Sequence, residues 1–299
     1  METFFYKSSP KGVIRVMGED AVDYLQSQCS INMRNLDIGK IRYGLRLSTR
    51  GRVLGDSYFL RLDEEEFMLL SRECEGGELL SLLNENIVAD EVEFINESNA
   101  WELITVWKNG SDSVQLENWP EKPNAGGYIH ADKAYFFEDL RISPGTYSIL
   151  QPLHNQIPKG INMKEMDYDS LQIKRIRAGL VSVPSEIGPT DLPQEGRLEL
   201  DAVDFDKGCY LGQETMARIH AMGRVRRLAF PVIWNGEEIP DLPCNLYYNQ
   251  KKKGVLKSLI PLEKKKAIGI ALIHESTDEA MQSEGLEIEG FPNGRIHKA

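Results

Sequence analysis

Apolar positions in "GVIRVMG" (12–18) alternate as in a strand, and in the following "GEDAVDYLQSQCS" Ala21, Val22, Leu25 and Cys29 recur at helical spacing. An acid at the start of that helix, Glu19 or Asp20, suits the positive end of its dipole. "KIRYGLRLSTRGRVLGDSYFLRLDEEEFMLLS" predicts three successive strands, with turns at "STRG" and "LDEEE". "GGELLSLLNENIVADEVEF" predicts a second amphipathic helix and a further strand. Short strands follow in "WELITVW" and "AYFFEDLRI", separated by the loop "ENWPEKPNAGG", rich in Pro, Gly and Asn. In "MDYDSLQIKRIRAGL" (166–180), Leu171, Ile173, Ile176 and Leu180 lie near one face of a helix that Gly179 would end. A Pro- and Gly-punctuated segment then leads to "DKGCYLGQETMARIH" (206–220), where a helix is expected over 212–221.

After Gly223 the pattern changes to short β-like runs, "RRLAFPVIW", "CNLYYN", "GVLKSLIPL", "AIGIALIH" and "GLEIEGF". Strands and isolated helices without a regular strand–helix repeat give an α+β class rather than alternating βαβ units. The length of 299 residues exceeds one typical domain. The division expected is 1–223 as one region of two lobes and 224–299 as a small C-terminal β-barrel module. The Lys-rich pieces "QKKKG" and "EKKK" fall at its turns and read as solvated hairpin tips before an anion site.

The formal net charge of −11 argues against nucleic acid or an anionic membrane as partner, but leaves anionic small ligands open to local clusters of cations. Cys29, Cys74, Cys209 and Cys244 are far apart and form no CxxC pair, so neither a metal site nor a disulfide framework is expected. The start "METFFYKSSPKG" lacks the apolar run of a signal peptide, and no apolar stretch approaches a bilayer span. A cytoplasmic protein is expected, in which Asn96-Glu-Ser98 and Asn109-Gly-Ser111 are glycosylation sequons in form only. No P-loop, GxGxxG, HExxH or GxSxG occurs.

The chemistry concentrates in Lys207-Gly208-Cys209-Tyr210-Leu211-Gly212-Gln213-Glu214. The glycines permit close approach of a partner, and Gln213 and Glu214 fall in a first helical turn, where free N–H groups suit an anion or a polar ring edge. Cys209 just before a helix start, with Lys207 and Arg218 nearby in sequence, is a candidate reactive thiol. The other reading leaves Cys209 as a small buried apolar residue in a glycine-shaped turn. Around the loop lies a local excess of cations: Lys174, Arg175, Arg177, Arg218, His220, Arg224, Arg226 and Arg227. They suit a carboxylate- or phosphate-bearing small ligand, or else form a solvated helix face.

The run Lys-Gly-Cys-Tyr-x-Gly-Gln-Glu resembles the signature of the YgfZ family, folate-binding proteins related to the glycine-cleavage T-protein and implicated in maturation or repair of iron–sulfur enzymes. "RIRAGL" (175–180), "LPQEGRLEL" (192–200) and "ARIHAMGRVRRLAF" resemble the flanks of that signature. The N-terminal "VMGEDAVDYLQSQCS…RLSTRGRVLGDSYFLRL" is similar to the opening of the T-protein superfamily. The resemblance implies a three-lobed arrangement around a central folate site, closed by a C-terminal barrel. It further implies tetrahydrofolate, in plain or polyglutamylated form, as ligand. Arg175, Arg218, Arg224, Arg226 and Asp56 would meet it, Cys209 would be the functional thiol, and iron–sulfur enzymes or assembly proteins would be the partners.

Three departures set the chain apart from true T-proteins. Gly51-Arg52-Val53-Leu54-Gly55-Asp56 stands where T-proteins resemble GGxxDD, so one acid remains. Arg177 stands where they carry a pterin-binding glutamate, and a guanidinium accepts no hydrogen bond. Cys209 stands where they have Asp or a similar residue. The departures favour a folate-binding accessory protein supporting iron–sulfur enzymes. A tetrahydrofolate-dependent aminomethyltransferase or demethylase, or an interaction module with a vestigial site, remain the alternatives.

Overall fold

The computed structural model describes residues 2–108, 114, 122–155, 163–263, 265–277, 280–281 and 283–299. The sequon at Asn109 and part of the expected loop over 117–127 lie outside the described residues. The class is α+β, with three sheets and four α-helices among the described residues.

The strands are β1 (Thr3–Ser8), β2 (Gly12–Met17), β3 (Ile41–Leu47), β4 (Val53–Asp63), β5 (Glu66–Ser71), β6 (Glu93–Asn96), β7 (Trp101–Lys108), β8 (Tyr128–Ala131), β9 (Ala134–Glu138), β10 (Tyr147–Pro152), β11 (Met163–Glu165), β12 (Arg227–Asn235), β13 (Cys244–Tyr248), β14 (Lys251–Glu263), β15 (Lys266–His274), β16 (Glu287–Ile288) and β17 (Arg295–Lys298). One sheet is antiparallel in the order β3-β4-β5-β2-β6. The second runs β11-β1-β7-β10-β9-β8, with β1 and β11 parallel. The helices are α1 (Ala21–Gln28), α2 (Gly76–Asn84), α3 (Tyr168–Arg177) and α4 (Gln213–Met222).

The third sheet, β16-β13-β14-β15-β12-β17, draws every strand from residues 227–298. It curls into a half-barrel, and a bridge between Leu286 and Ile296 links its two ends. Its central strand explains the unbroken apolar run read in the sequence. Successive strand residues face opposite sides. Ile268, Ile270 and Leu272 join the main core, while Ala267, Ala271 and Ile273 fill the inside of the curled sheet around Trp234. This strand therefore holds the half-barrel against the rest of the chain.

Helix limits differ from the pattern by one to a few residues, for local reasons. α3 begins at Tyr168 because the Asp167 carboxylate caps it, accepting from Ser170 N–H at 2.8 Å. It ends before Gly179, whose φ of +75° leaves the helix. α4 begins at Gln213 because Gly212 adopts φ +82° and cannot be its first helical residue. Asp20 makes no cap hydrogen bond with α1; its carboxylate accepts from Glu91 N–H instead.

Candidate functional site

The signature loop is held from both ends. At its entrance Asp204 takes a bidentate pair from Arg42 at 2.8 and 2.9 Å and accepts from Asn32 N–H. Beyond it, Lys207 turns inward. Its Nζ donates to the carbonyl oxygens of Gln26, Cys29 and Ile31 at 2.6–2.7 Å, at the C-terminal end of α1. Those carbonyls have no partner within the helix, and a cation there also answers the negative end of its dipole. The Tyr210 ring lies 5.0 Å from the same ammonium. Burial pulls the Lys207 pKa down to about 8 and pushes the Tyr210 hydroxyl up to about 12. The Tyr210 hydroxyl has no hydrogen-bond partner among the described residues.

At the exit, two glycines meet. A Cβ on Gly212 would stand 2.6 Å from the Ser48 carbonyl oxygen and 3.0 Å from Gly51 Cα, so only glycine lets α4 start against the β3–β4 turn. Gly51 in turn packs on Thr215 of α4. Leu211 N–H donates to Ser27 O, and Gln213 donates through Nε2 to Lys207 O. Glu214 is exposed in the first turn of α4.

Between these anchors Gly208 and Cys209 face solvent. A side chain added at Gly208 would meet nothing within 4 Å, so the space beside the thiol is open. The reading of Cys209 as a buried apolar residue is corrected by this exposure. Lys207, a near neighbour of Cys209 in sequence, sends its ammonium the other way, to three main-chain carbonyls. Cys29 and Cys74 are buried, with thiols pushed well up by burial; Cys244 is half-buried.

The cations expected around one ligand separate. Arg175 is buried and paired bidentately with Glu186 at 2.8 and 2.9 Å, its Nε donating to Gln172. It is spent inside the fold, contrary to the ligand role expected of it. Arg227 pairs with Glu195 and Asp191, and the His220 ring stacks on Phe205. Arg226 is exposed, and Arg224 lines a cleft with Arg197 and His220. Arg218 lines a different cleft of about 580 Å³ with Arg50, Arg52, Ser48 and Thr215. Arg52 Nη1 donates to Thr190 O, aiming its guanidinium, while Arg50 and Arg218 have no ion-pair partner among the described residues. Sequence reasoning missed Arg50 and Arg52, reading "STRG" only as a turn; two arginines flanking a glycine were the available signal.

Asp56 lies within β4. Its carboxylate accepts from Tyr43 Oη at 2.7 Å, Ser71 Oγ at 2.8 Å and Cys74 Sγ at 3.2 Å. Arg141 lies 4.6 Å over the Tyr43 ring and reaches Asp201. Arg177 is exposed and lines, with Lys174, a third cleft along α3.

Against known proteins, residues 6–116 match the GCVT N-terminal domain. The iron-sulfur cluster assembly factor IBA57 homolog of Aspergillus clavatus is 25% identical over 265 residues, covering 77% of this chain and 57% of that protein. The Mycosarcoma maydis homolog of the same name is 24% identical, covering 74% and 55%. An uncharacterized protein of Haemophilus influenzae is 23% identical, covering 84% of this chain and 82% of its own. The chain thus spans little more than half the length of the fungal relatives. The glycine cleavage system aminomethyltransferase T of Bartonella henselae superposes with a TM-score of 0.77 over 99% of this chain and 84% of that one, at 15% identity. The resemblance to the T-protein superfamily drawn from the sequence holds, and the fold is T-protein-like.

Proposed function

We propose that this chain, built on the T-protein fold, is an iron–sulfur cluster assembly factor that offers the Cys209 thiol to a client or assembly partner and binds a folate. The observation that carries it is the signature loop itself. Lys207, Tyr210 and Gly212 are consumed in building it, and the Cys209 thiol is left exposed beside Gly208. The similarity to assembly factors over about three-quarters of the chain supports the same reading. Exposure of a thiol favours exchange, ligation or oxidation chemistry over a packing role. The three-lobed division into two lobes over 1–223 and a barrel over 224–299 belongs to this reading.

Support for a folate comes from one end of the ligand. Arg50, Arg52 and Arg218 suit the carboxylates of a glutamyl or polyglutamyl tail, because each guanidinium presents paired N–H donors to a carboxylate. At the ring end, Asp56 already accepts from three donors and Arg177 is a cation, so neither repeats a free carboxylate that accepts from a pterin. A bound tetrahydrofolate supplies a one-carbon acceptor. The departures from the T-protein pattern at Arg52–Asp56, Arg177 and Cys209 make aminomethyl transfer the less favoured reading.

The test is deletion of the gene with assay of several iron–sulfur enzymes, with and without oxidative stress. Lowered activity at unchanged enzyme abundance is expected. Normal activity in both conditions would overturn the reading. Calorimetry with tetrahydrofolate and its polyglutamates tests the ligand separately.

A further inference from the structure

A cleft of about 420 Å³ lies where the C-terminal end of α4 meets the start of β12 and the 3-10 turns Pro193–Gly196 and Leu198–Leu200. Its apolar lining comes from Ile219 of α4, Val225, and Leu228 of β12. Leu200 lines it as well and is 77% exposed, a large apolar side chain that the fold leaves uncovered. Among these stand two acceptors without a donor. Gln194 is buried, 7% exposed, and its Oε1 has no hydrogen-bond partner among the described residues. Its Nε2 reaches only Met216 Sδ, at 3.4 Å. Glu199 Oε2 is likewise buried without a partner, and the carboxylate forms no ion pair among the described residues. Burial raises the Glu199 pKa, although Arg197 and His220 act the other way.

Buried acceptors left without donors are costly, and a ligand that brings donors recovers that cost. The cations of the lining do not supply them. Arg197 Nη1 donates to Ala229 O at 3.2 Å, and its guanidinium lies 5.2 Å from the centre of the Phe230 ring. The His220 ring stacks on Phe205. Arg224 is exposed, and the lining also carries an exposed acid, Glu275. Acceptors on two separate side chains call for a compact group with several donors and no acceptor, which is an ammonium. A guanidinium fork would match the paired oxygens of one carboxylate instead. The net charge of −11 favours the approach of a cation.

We propose that this cleft binds a primary ammonium carried on an apolar stem, a free alkylamine or a lysine side chain. The nitrogen lies between Gln194 Oε1 and Glu199, and the stem runs along Leu228, Ile219 and Leu200. Arg224 is then a like charge beside the ligand, not a contact that holds it. The ligand is opposite in charge to the one that the arginine cleft beside Gly51 and Gly212 suits, so this site stands whether or not a folate binds there.

The experiment titrates the full chain with dansylcadaverine and with its N-acetyl derivative, which keeps the skeleton and loses the charge. The amine should bind about tenfold more tightly, the scale of a charge-assisted contact. Glu199→Gln should abolish that preference, leaving the acetyl derivative's affinity and the thermal midpoint unchanged. Gln194→Leu should lower the affinity of the amine alone. Leu200→Ser should weaken both probes. Arg224→Ala should tighten the amine about twofold by removing a like charge, the reverse of its effect at a carboxylate site. The tripeptide Ala-Lys-Ala, dansylated at its amino terminus, separates the two sources: binding tighter than dansylcadaverine assigns the site to a partner's lysine, weaker binding to a free amine. Equal affinity of the wild type for the amine and its acetyl derivative would overturn the proposal. So would a Glu199→Gln variant that keeps the preference.

Discussion

Lys207 Nζ donates to the Cys29 carbonyl oxygen at 2.6 Å, joining a loop of the second half of the chain to the helix end that carries a different cysteine. The contact spans 178 residues of sequence and buries an ammonium that three carbonyls share. Lys207→Met would leave those carbonyls without their donor. A loss of about 2–4 kcal/mol is expected in urea denaturation, the range for stranding buried polar groups. Hydrogen exchange over 204–212 should rise with it. Unchanged stability and exchange would show that the lysine does not clamp the loop.

The two glycines of the loop should behave oppositely. Gly212→Ala brings a Cβ against the Ser48 carbonyl at a positive φ, and about 2–3 kcal/mol of destabilisation is expected. Gly208→Ala meets open space and should change stability by about 0.5 kcal/mol or less. Thermal melts of the two variants side by side check the pair.

Arg175 and Arg218 separate structure from binding. Arg175→Met strands Glu186 in the core, for which about 3–5 kcal/mol is expected. Arg218→Ala is exposed and should leave the melting temperature nearly unchanged while weakening polyglutamyl folate about tenfold in calorimetry. Full affinity in Arg218→Ala would remove the folate tail from that cleft.

Asp139 sets an acid limit. Burial alone would raise its pKa, but Arg72, together with hydrogen bonds from Arg72, Ser148 and Tyr58, holds it below the ordinary 3.8. The folded state therefore binds this proton less readily than the unfolded chain. The stability that follows is present above pH 3.8 and is lost as pH falls through the lower folded value. Asp139→Asn should be less stable at neutral pH, with a shallower loss of stability below pH 3.8. Parallel acid profiles of wild type and variant would contradict this.

How far the sequence could be read followed the range of the interactions. The strand order around "STRG" and the buried run "AIGIALIH" were legible, because period and turn residues are local signals. The signature loop was also legible as a tight, glycine-shaped turn around a cysteine, since those residues are contiguous. The direction of Lys207 was not, because its acceptors lie in α1 and just beyond its end, 176–181 residues away. The same holds for Arg175, whose partner Glu186 sits in a punctuated segment with no period to place it. Arg50 and Arg52 join Arg218 only because Gly51 and Gly212 let two distant turns touch.

The central claim is that the loop exists to present the Cys209 thiol to iron–sulfur clients. Its most direct measurement is iron–sulfur enzyme activity, normalised to enzyme abundance, in cells carrying Cys209→Ala in place of the wild-type protein. Because the residue is exposed, the variant should accumulate and melt as wild type does. The account predicts activity close to that of the deletion; activity equal to wild type would contradict it.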